Sequence, residues 1–169
     1  MFQRRVSYLL FFFTFAYVLL GYALPSDKEE TMHVVANSAD LNQKNHKGTY
    51  IGNVEFVQGS TNLHAAEAIT QGDETNHLSF AIAKGSKEKQ AHYWTITDPS
   101  KPPFHAYADT IKYYPLKHLI ELIGNAKIEQ GPNSLHAAKI NVDTLNQHLT
   151  SFSDDKNRTT IILYPEKKS

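Results

Sequence analysis

The segment Ile51-Gly52-Asn53-Val54-Glu55-Phe56-Val57-Gln58-Gly59, followed by Leu63-His64-Ala65-Ala66, returns 72 residues later. The copy reads Ile123-Gly124-Asn125-Ala126-Lys127-Ile128-Glu129-Gln130-Gly131, followed by Leu135-His136-Ala137-Ala138. Nine of the sixteen positions from Ile51 to Ala66 are identical, where unrelated segments would share about one. A repeat at this level is one structural unit used twice, so the fold must be one that a duplicated unit can build.

The unit itself reads as β structure. Val54 and Phe56, and in the copy Ala126 and Ile128, flank Glu55 and Lys127. That period of two puts the apolar residues on one face and the charges on the other. Gly52-Asn53 and Gly124-Asn125 tolerate positive φ and predict a bulge or bend inside the strand. Gln58-Gly59 and Gln130-Gly131 predict its end, and Ser60-Thr61-Asn62 or Pro132-Asn133-Ser134 the turn into a second strand. Small-acidic pairs at Ala39-Asp40, Ala66-Glu67 and Ala108-Asp109, each leading into an alternating run, extend the reading to a strand–turn–strand unit used about four times.

Further strands are expected over 32–36, 91–97, 110–114 and 159–164, with polar or Pro-rich loops at 84–90 and 98–103. Leu135, Ala138, Val142, Leu145 and Leu149 fall at helical spacing. The equivalent stretch of the first copy runs into Gln71-Gly72-Asp73, which stops a helix, so strand is preferred there as well. About a dozen short strands must bury one face of each sheet, as two facing sheets, a barrel or a jelly roll. A stack of repeated units leaves its terminal strands unpaired. The chain has no Cys, so core packing and ladder pairing must supply all of its stability.

The first 23 residues are set apart. Met1-Phe2-Gln3-Arg4-Arg5 is basic, Val6 to Leu20 is apolar apart from Ser7 and Thr14, and Gly21-Tyr22-Ala23 carries the small residues a signal peptidase reads. The expected division is a signal peptide over 1–23 cut after Ala23, one domain over 24–165, and a solvated tail Glu166-Lys167-Lys168-Ser169. The competing reading keeps Val6 to Leu24 as a membrane anchor, 19 residues being just long enough to cross a bilayer. The remaining chain holds 15 basic and 17 acidic residues, a balance that argues against nucleic acid as a partner.

Motifs for chemistry are missing. There is no Gly-x-Ser-x-Gly, His-Glu-x-x-His or phosphate-cradling Gly-rich loop. The nine His are never three or four apart, and the equivalent His64 and His136 read as a paired structural feature on the face opposite Leu63 and Leu135. Asp40 and Asp109 could form a carboxylate pair for glycoside chemistry, with Tyr93 and Trp94 stacking on sugar. Acidic residues beside small ones more often satisfy local backbone donors. No catalytic residue, metal site or cofactor is expected.

The Gly-Asn-Val-x-x-x-Gln-Gly strand (Gly52 to Gly59), its Gly-Asn-Ala-x-x-x-Gln-Gly copy (Gly124 to Gly131) and the late Thr-Thr-Ile-Ile-Leu-Tyr-Pro strand (Thr159 to Pro165) behind an export signal resemble the OstA-like family of lipopolysaccharide transport proteins. The resemblance runs from about Met32 to Pro165 and favours the LptA branch. An uncleaved leader would favour the membrane-anchored LptC-like branch. It implies an all-β, open twisted β-jelly roll built from repeated strand–turn–strand units, lying in the periplasm. It implies binding of the lipid A acyl chains of lipopolysaccharide and head-to-tail self-association into a bridge between an LptC-like inner-membrane protein and an LptD-like outer-membrane protein. It brings no cofactor and no catalysis, so the driving energy belongs to an ATP-driven partner. Strand parity then nominates Val34, Val54, Phe56, Trp94, Ile111, Tyr113 and Ile128 as walls of the lipid trough. The end strands for pairing between copies are Val34-Val35 and Ile161-Ile162-Leu163-Tyr164. The alternatives from other classes are an exported carbohydrate-active β-sandwich and a purely structural export protein without a ligand.

Overall fold

The computed structural model describes Asp27 and residues 30–75, 77–155 and 158–165. The leader expected over 1–23 and the tail over 166–169 lie outside the described residues. Among the described residues twelve antiparallel strands follow one another: β1 His33–Val35, β2 Ser38–Asn42, β3 Lys47–Gln58, β4 Thr61–Gly72, β5 Leu78–Lys84, β6 Ala91–Thr95, β7 Phe104–Ala108, β8 Thr110–Tyr114, β9 Leu119–Gln130, β10 Asn133–Asp143, β11 His148–Phe152 and β12 Thr160–Ile162.

Four long strands organise the rest. β3, β4, β9 and β10 each give one half to each of two layers. The first layer runs β2, β3, β4, β5, β8, β9, β10, β11. The second runs β1, β3, β4, β6, β7, β9, β10, β12. The result is an open β-jelly roll, in which one sheet folded along its long strands makes both faces of a sandwich.

The fold line is written in the Gly-Asn pairs. Gly52 and Asn53 have φ of 79° and 48°, and Gly124 and Asn125 have 80° and 47°. The ladder between β3 and β4 slips between Ile51 and Val54. A neighbouring Asx residue clamps each bend: Asn37 N–H donates to Gly52 O at 2.8 Å, and Asp109 N–H to Gly124 O at 3.0 Å. Asn37 is thus the counterpart of Asp109. Asp40, paired with it in the sequence reading, stands instead at the position of Lys112.

The repeat is longer than its sixteen-residue signature. β2, the 3-10 turn Gln43–Asn45 and β3 recur, displaced by the same 72 residues, as β8, the turn Pro115–Lys117 and β9. The hairpins therefore group into a six-strand unit, β1–β6, used again as β7–β12. The two units join where β5 pairs with β8 and β6 with β7. The helical spacing after Leu135 belongs to β10, a turn and β11. β10 lies between β9 on one side and β11 and β12 on the other, and this ladder outweighs the local periodicity.

Small residues let the layers meet at the fold line. Val54, Ala91, Ala108, Ala126 and Ala137 face inward there and are at most 3% exposed. Away from that line the inward positions are mixed in size, from Gly48, Ala81 and Ala106 to Phe56, Tyr93 and Leu135. The continuous core gathers in the second unit around Phe104, Leu122, Ile128, Ile140 and Val142.

Candidate functional site: an apolar groove between the layers

Cross-strand register places two facing rows inside the sandwich. Along the first layer the inward residues are Leu41, Gly48, Thr70, Ala81, Tyr113, Ile120, Val142 and Leu149. Along the second they are Val34, Phe56, Leu63, Tyr93, Ala106, Ile128, Leu135 and Ile161. Period-two alternation across eight paired strands makes both rows almost wholly apolar.

The rows do not fill the space between them. A cavity of about 670 Å³ opens between the first unit and the first-layer strands β8 and β9 of the second, lined by Tyr50, Phe56, Leu63, Ala81, Tyr93, Ile111, Tyr113 and Ile120. Tyr50 and Phe56 meet edge to face at 5.3 Å. Polar residues of the turns form its mouth, among them Asn42, Gln43, His46, His118 and Thr144. Tyr93 is anchored at its polar end. Its hydroxyl bonds to Thr61 and Thr95, and burial pushes its pKa up to about 12, so the ring presents an uncharged surface. Burial raises the Tyr113 phenol as well. A cleft of this volume and chemistry suits an apolar ligand of several hundred cubic ångströms.

The nominated wall residues divide. Phe56, Ile111 and Tyr113 line the cavity, and Val34 stands directly opposite Phe56 on the edge strand β1. Val54 and Ile128 do not line it. Val54 is 1% exposed at the fold line and Ile128 lies in the packed half. Trp94 is on the wrong side of the sheet. Its neighbour Tyr93 faces inward, so parity turns Trp94 outward. There it stacks on His92 at 4.5 Å and meets His64 edge to face at 4.7 Å. Tyr50, Leu63, Ala81 and Tyr93 are walls that the sequence reading leaves out. Counting back from the turn at Gly59 pairs Phe56 with Leu63, a signal the sequence did carry.

The carboxylates suggested for glycoside chemistry are not a pair. Asp40 is exposed on edge strand β2. Asp109 accepts the amides of Gln90 at 3.2 Å and Asn125 at 2.9 Å, bracing the second bend.

Both ends of the sandwich carry open edges. Among the described residues, β1 and β2 pair only with β3, and β11 and β12 only with β10. Val35 and Ile161 are each 61% exposed. Leu163 and Tyr164 run past the end of β12, and Tyr164 N–H donates to the Asn133 side chain at 2.9 Å. Among the described residues no helix is long and apolar enough to cross a membrane.

An open jelly roll with a greasy groove and bare strand edges at both ends defines a class: a β-sandwich with room for apolar chains between its layers and unpaired backbone at its two ends. Comparison with known proteins makes it particular. Residues 33–148 match the family model described as LptA/(LptD N-terminal domain) LPS transport protein, and the chain belongs to that family. The lipopolysaccharide export system protein LptH of Pseudomonas aeruginosa is 30% identical over 157 residues, covering 89% of this chain and 88% of LptH. LptA of Escherichia coli K12 is 24% identical over 150 residues, covering 87% of this chain and 78% of LptA. A crystal structure of LptH, the LptA-homologous periplasmic component of the lipopolysaccharide transport device of Pseudomonas aeruginosa, superposes with a TM-score of 0.74. It has 29% sequence identity, over 83% of this chain and all of that one.

Proposed function

We propose that this chain is a periplasmic, non-enzymatic carrier of lipopolysaccharide that holds acyl chains in the groove and joins copies of itself end to end. The observation that carries the reading is the half-open apolar cavity between two layers, in a member of this transport family. Each acyl CH₂ moved out of water is worth about 0.8 kcal/mol, so a greasy trough holds lipid without strong charge attraction. Residues 1–23 serve as the export signal, cut after Ala23, and 24–165 form the working domain.

The joint between copies has a template inside the molecule. β7 and β8 are the counterparts of β1 and β2, and they are covered by β6 and β5. Register against β4 and β10 makes β11 the counterpart of β5, and β12 that of β6. So β11 and β12 of one copy cover β2 and β1 of the next, as strand addition. The same edges serve an LptC-like partner at the inner membrane and an LptD-like partner at the outer membrane.

Mass spectrometry of protein purified from its own envelope tests the carrier reading. Bound lipopolysaccharide is expected, together with light-induced crosslinks to it from a photo-reactive residue at Phe56. Protein that carries none, and takes up none after delipidation, would leave a purely structural role.

A further inference from the structure

The two units of the repeat are not equally open, and the difference lies in a few equivalent positions. In the first unit the inward row of the first layer reads Gly48, Thr70 and Ala81. In the second unit the same three places hold Ile120, Val142 and Leu149. The space over Gly48 is taken by Thr70 and Tyr50: a Cβ built there would lie 2.7 Å from both Thr70 Oγ1 and the Tyr50 hydroxyl. Small side chains leave the cavity in one unit. Large ones narrow the other: Ile120 forms the far wall of the cavity, Val142 behind it is 2% exposed in the continuous core, and Leu149 packs against that core.

We infer that the trough is a single compartment seated mainly in the first unit and bounded by Ile120, and that Val142 and Leu149 behind it form a packed constriction that an acyl chain enters only by displacing them. Each copy then holds its lipid near the β1–β2 end. Onward movement toward the β11–β12 end requires a local opening of the second unit. The row supplies a reason for stepwise passage: packed apolar contacts have discrete arrangements and do not deform continuously. This inference rests on the carrier reading given above and specifies where in the groove the lipid sits.

The test imports one unit's side chains into the other. Titration with a pyrene-labelled fatty acid measures affinity and stoichiometry on delipidated full-length mature protein. Wild type is expected to bind one equivalent. Thr70→Val/Ala81→Leu, which carries the second unit's residues, is expected to bind at least fivefold more weakly with an unchanged circular dichroism spectrum. Ala81→Trp, a larger block at one position, repeats the test should the double variant fold poorly. Photo-reactive residues at Ala81 and Leu149 give an independent map on otherwise unaltered protein, with Ala81 expected to capture the probe several-fold more efficiently. Equal capture at both positions, or full affinity in the folded filled variants, would overturn the constriction and leave the carrier reading standing. Wild type that binds no probe at all would overturn both.

Discussion

His92 Nε2 lies 2.9 Å from His105 Nδ1 across the β6–β7 pair, on the outer face where the two repeats join. His92 also stacks on Tyr107 at 4.2 Å and on Trp94 at 4.5 Å. Burial, followed by the charges of His105, His64 and Lys89, lowers its pKa from 6.5 to about 4. A histidine held neutral takes up its proton in the unfolded chain first. Its contribution to stability is therefore intact above pH 6.5 and is lost as the pH falls from there to about 4. Because the ring is half exposed, the loss is discounted to on the order of 1–2 kcal/mol. The urea midpoint is expected to fall over that window, and His92→Phe, which keeps the stacking, is expected to flatten the fall. A wild-type midpoint constant from pH 6.5 to 4.5 would contradict it.

Gly124→Ala should be costly. The backbone there has φ of 80°, and the new Cβ would press on the Asp109 carboxylate, 3.0 Å from its Cβ. Left-handed conformation alone costs an alanine about 1–2 kcal/mol, and the displaced clamp adds to it. A fall of several degrees in Tm is expected. Gly85→Ala is not a fair control, since its Cβ meets backbone at 2.6 Å. Leu116→Ala, at an exposed turn, is one, and should leave Tm within a degree or two.

The bends are legible in the sequence, because only a residue that accepts positive φ serves there and Gly-Asn stands at both. Strand parity was equally readable, and it set Phe56, Ile111 and Tyr113 on the inner face. What parity cannot tell is how far apart the layers stand. Val54 and Phe56 share a face, yet Val54 sits at the fold line and is buried, while Phe56 borders open space. Depth along the long strands separates core from cavity, and that depth depends on where the strand bends relative to each residue. Trp94 was misplaced for a simpler reason. Tyr93-Trp94 offers two large rings in succession, and only the pairing of Tyr93 with Leu63 decides which one faces inward.

That parity makes a paired prediction. Phe56→Asp puts a carboxylate among apolar walls, where an unpaired charge is strongly disfavoured. Trp94→Asp puts one on the solvent side of the same sandwich. Bound lipopolysaccharide per molecule is expected to drop at least tenfold for the first and to stay within twofold of wild type for the second. Thermal melts on both variants separate lost binding from lost folding. Similar losses from the two would mean that the lipid lies elsewhere.

The register at the joint between copies can be tested by chemistry that the natural chain lacks. It contains no Cys, so any disulfide formed is the one introduced. Inside the molecule Ala81 of β5 stands opposite Tyr113 of β8. Ala81 corresponds to Leu149 and Tyr113 to Leu41, so the internal junction places Leu149 of one copy opposite Leu41 of the next. Directly opposed residues in an antiparallel pair have Cα atoms about 4.5–5.5 Å apart, within reach of a disulfide. Leu41→Cys/Leu149→Cys is expected to give a ladder of oligomers under mild oxidation, resolved by reductant. Asp40→Cys/Leu149→Cys moves one thiol by a single residue and turns it to the opposite face, so it should remain mostly monomeric. The same contrast should hold at the second layer, with Val34→Cys/Ile161→Cys linking and Val35→Cys/Ile161→Cys failing. Equal ladders from matched and slipped pairs would mean random collision, and a ladder from the slipped pair alone would place the joint one residue out of the register that the duplicated fold dictates.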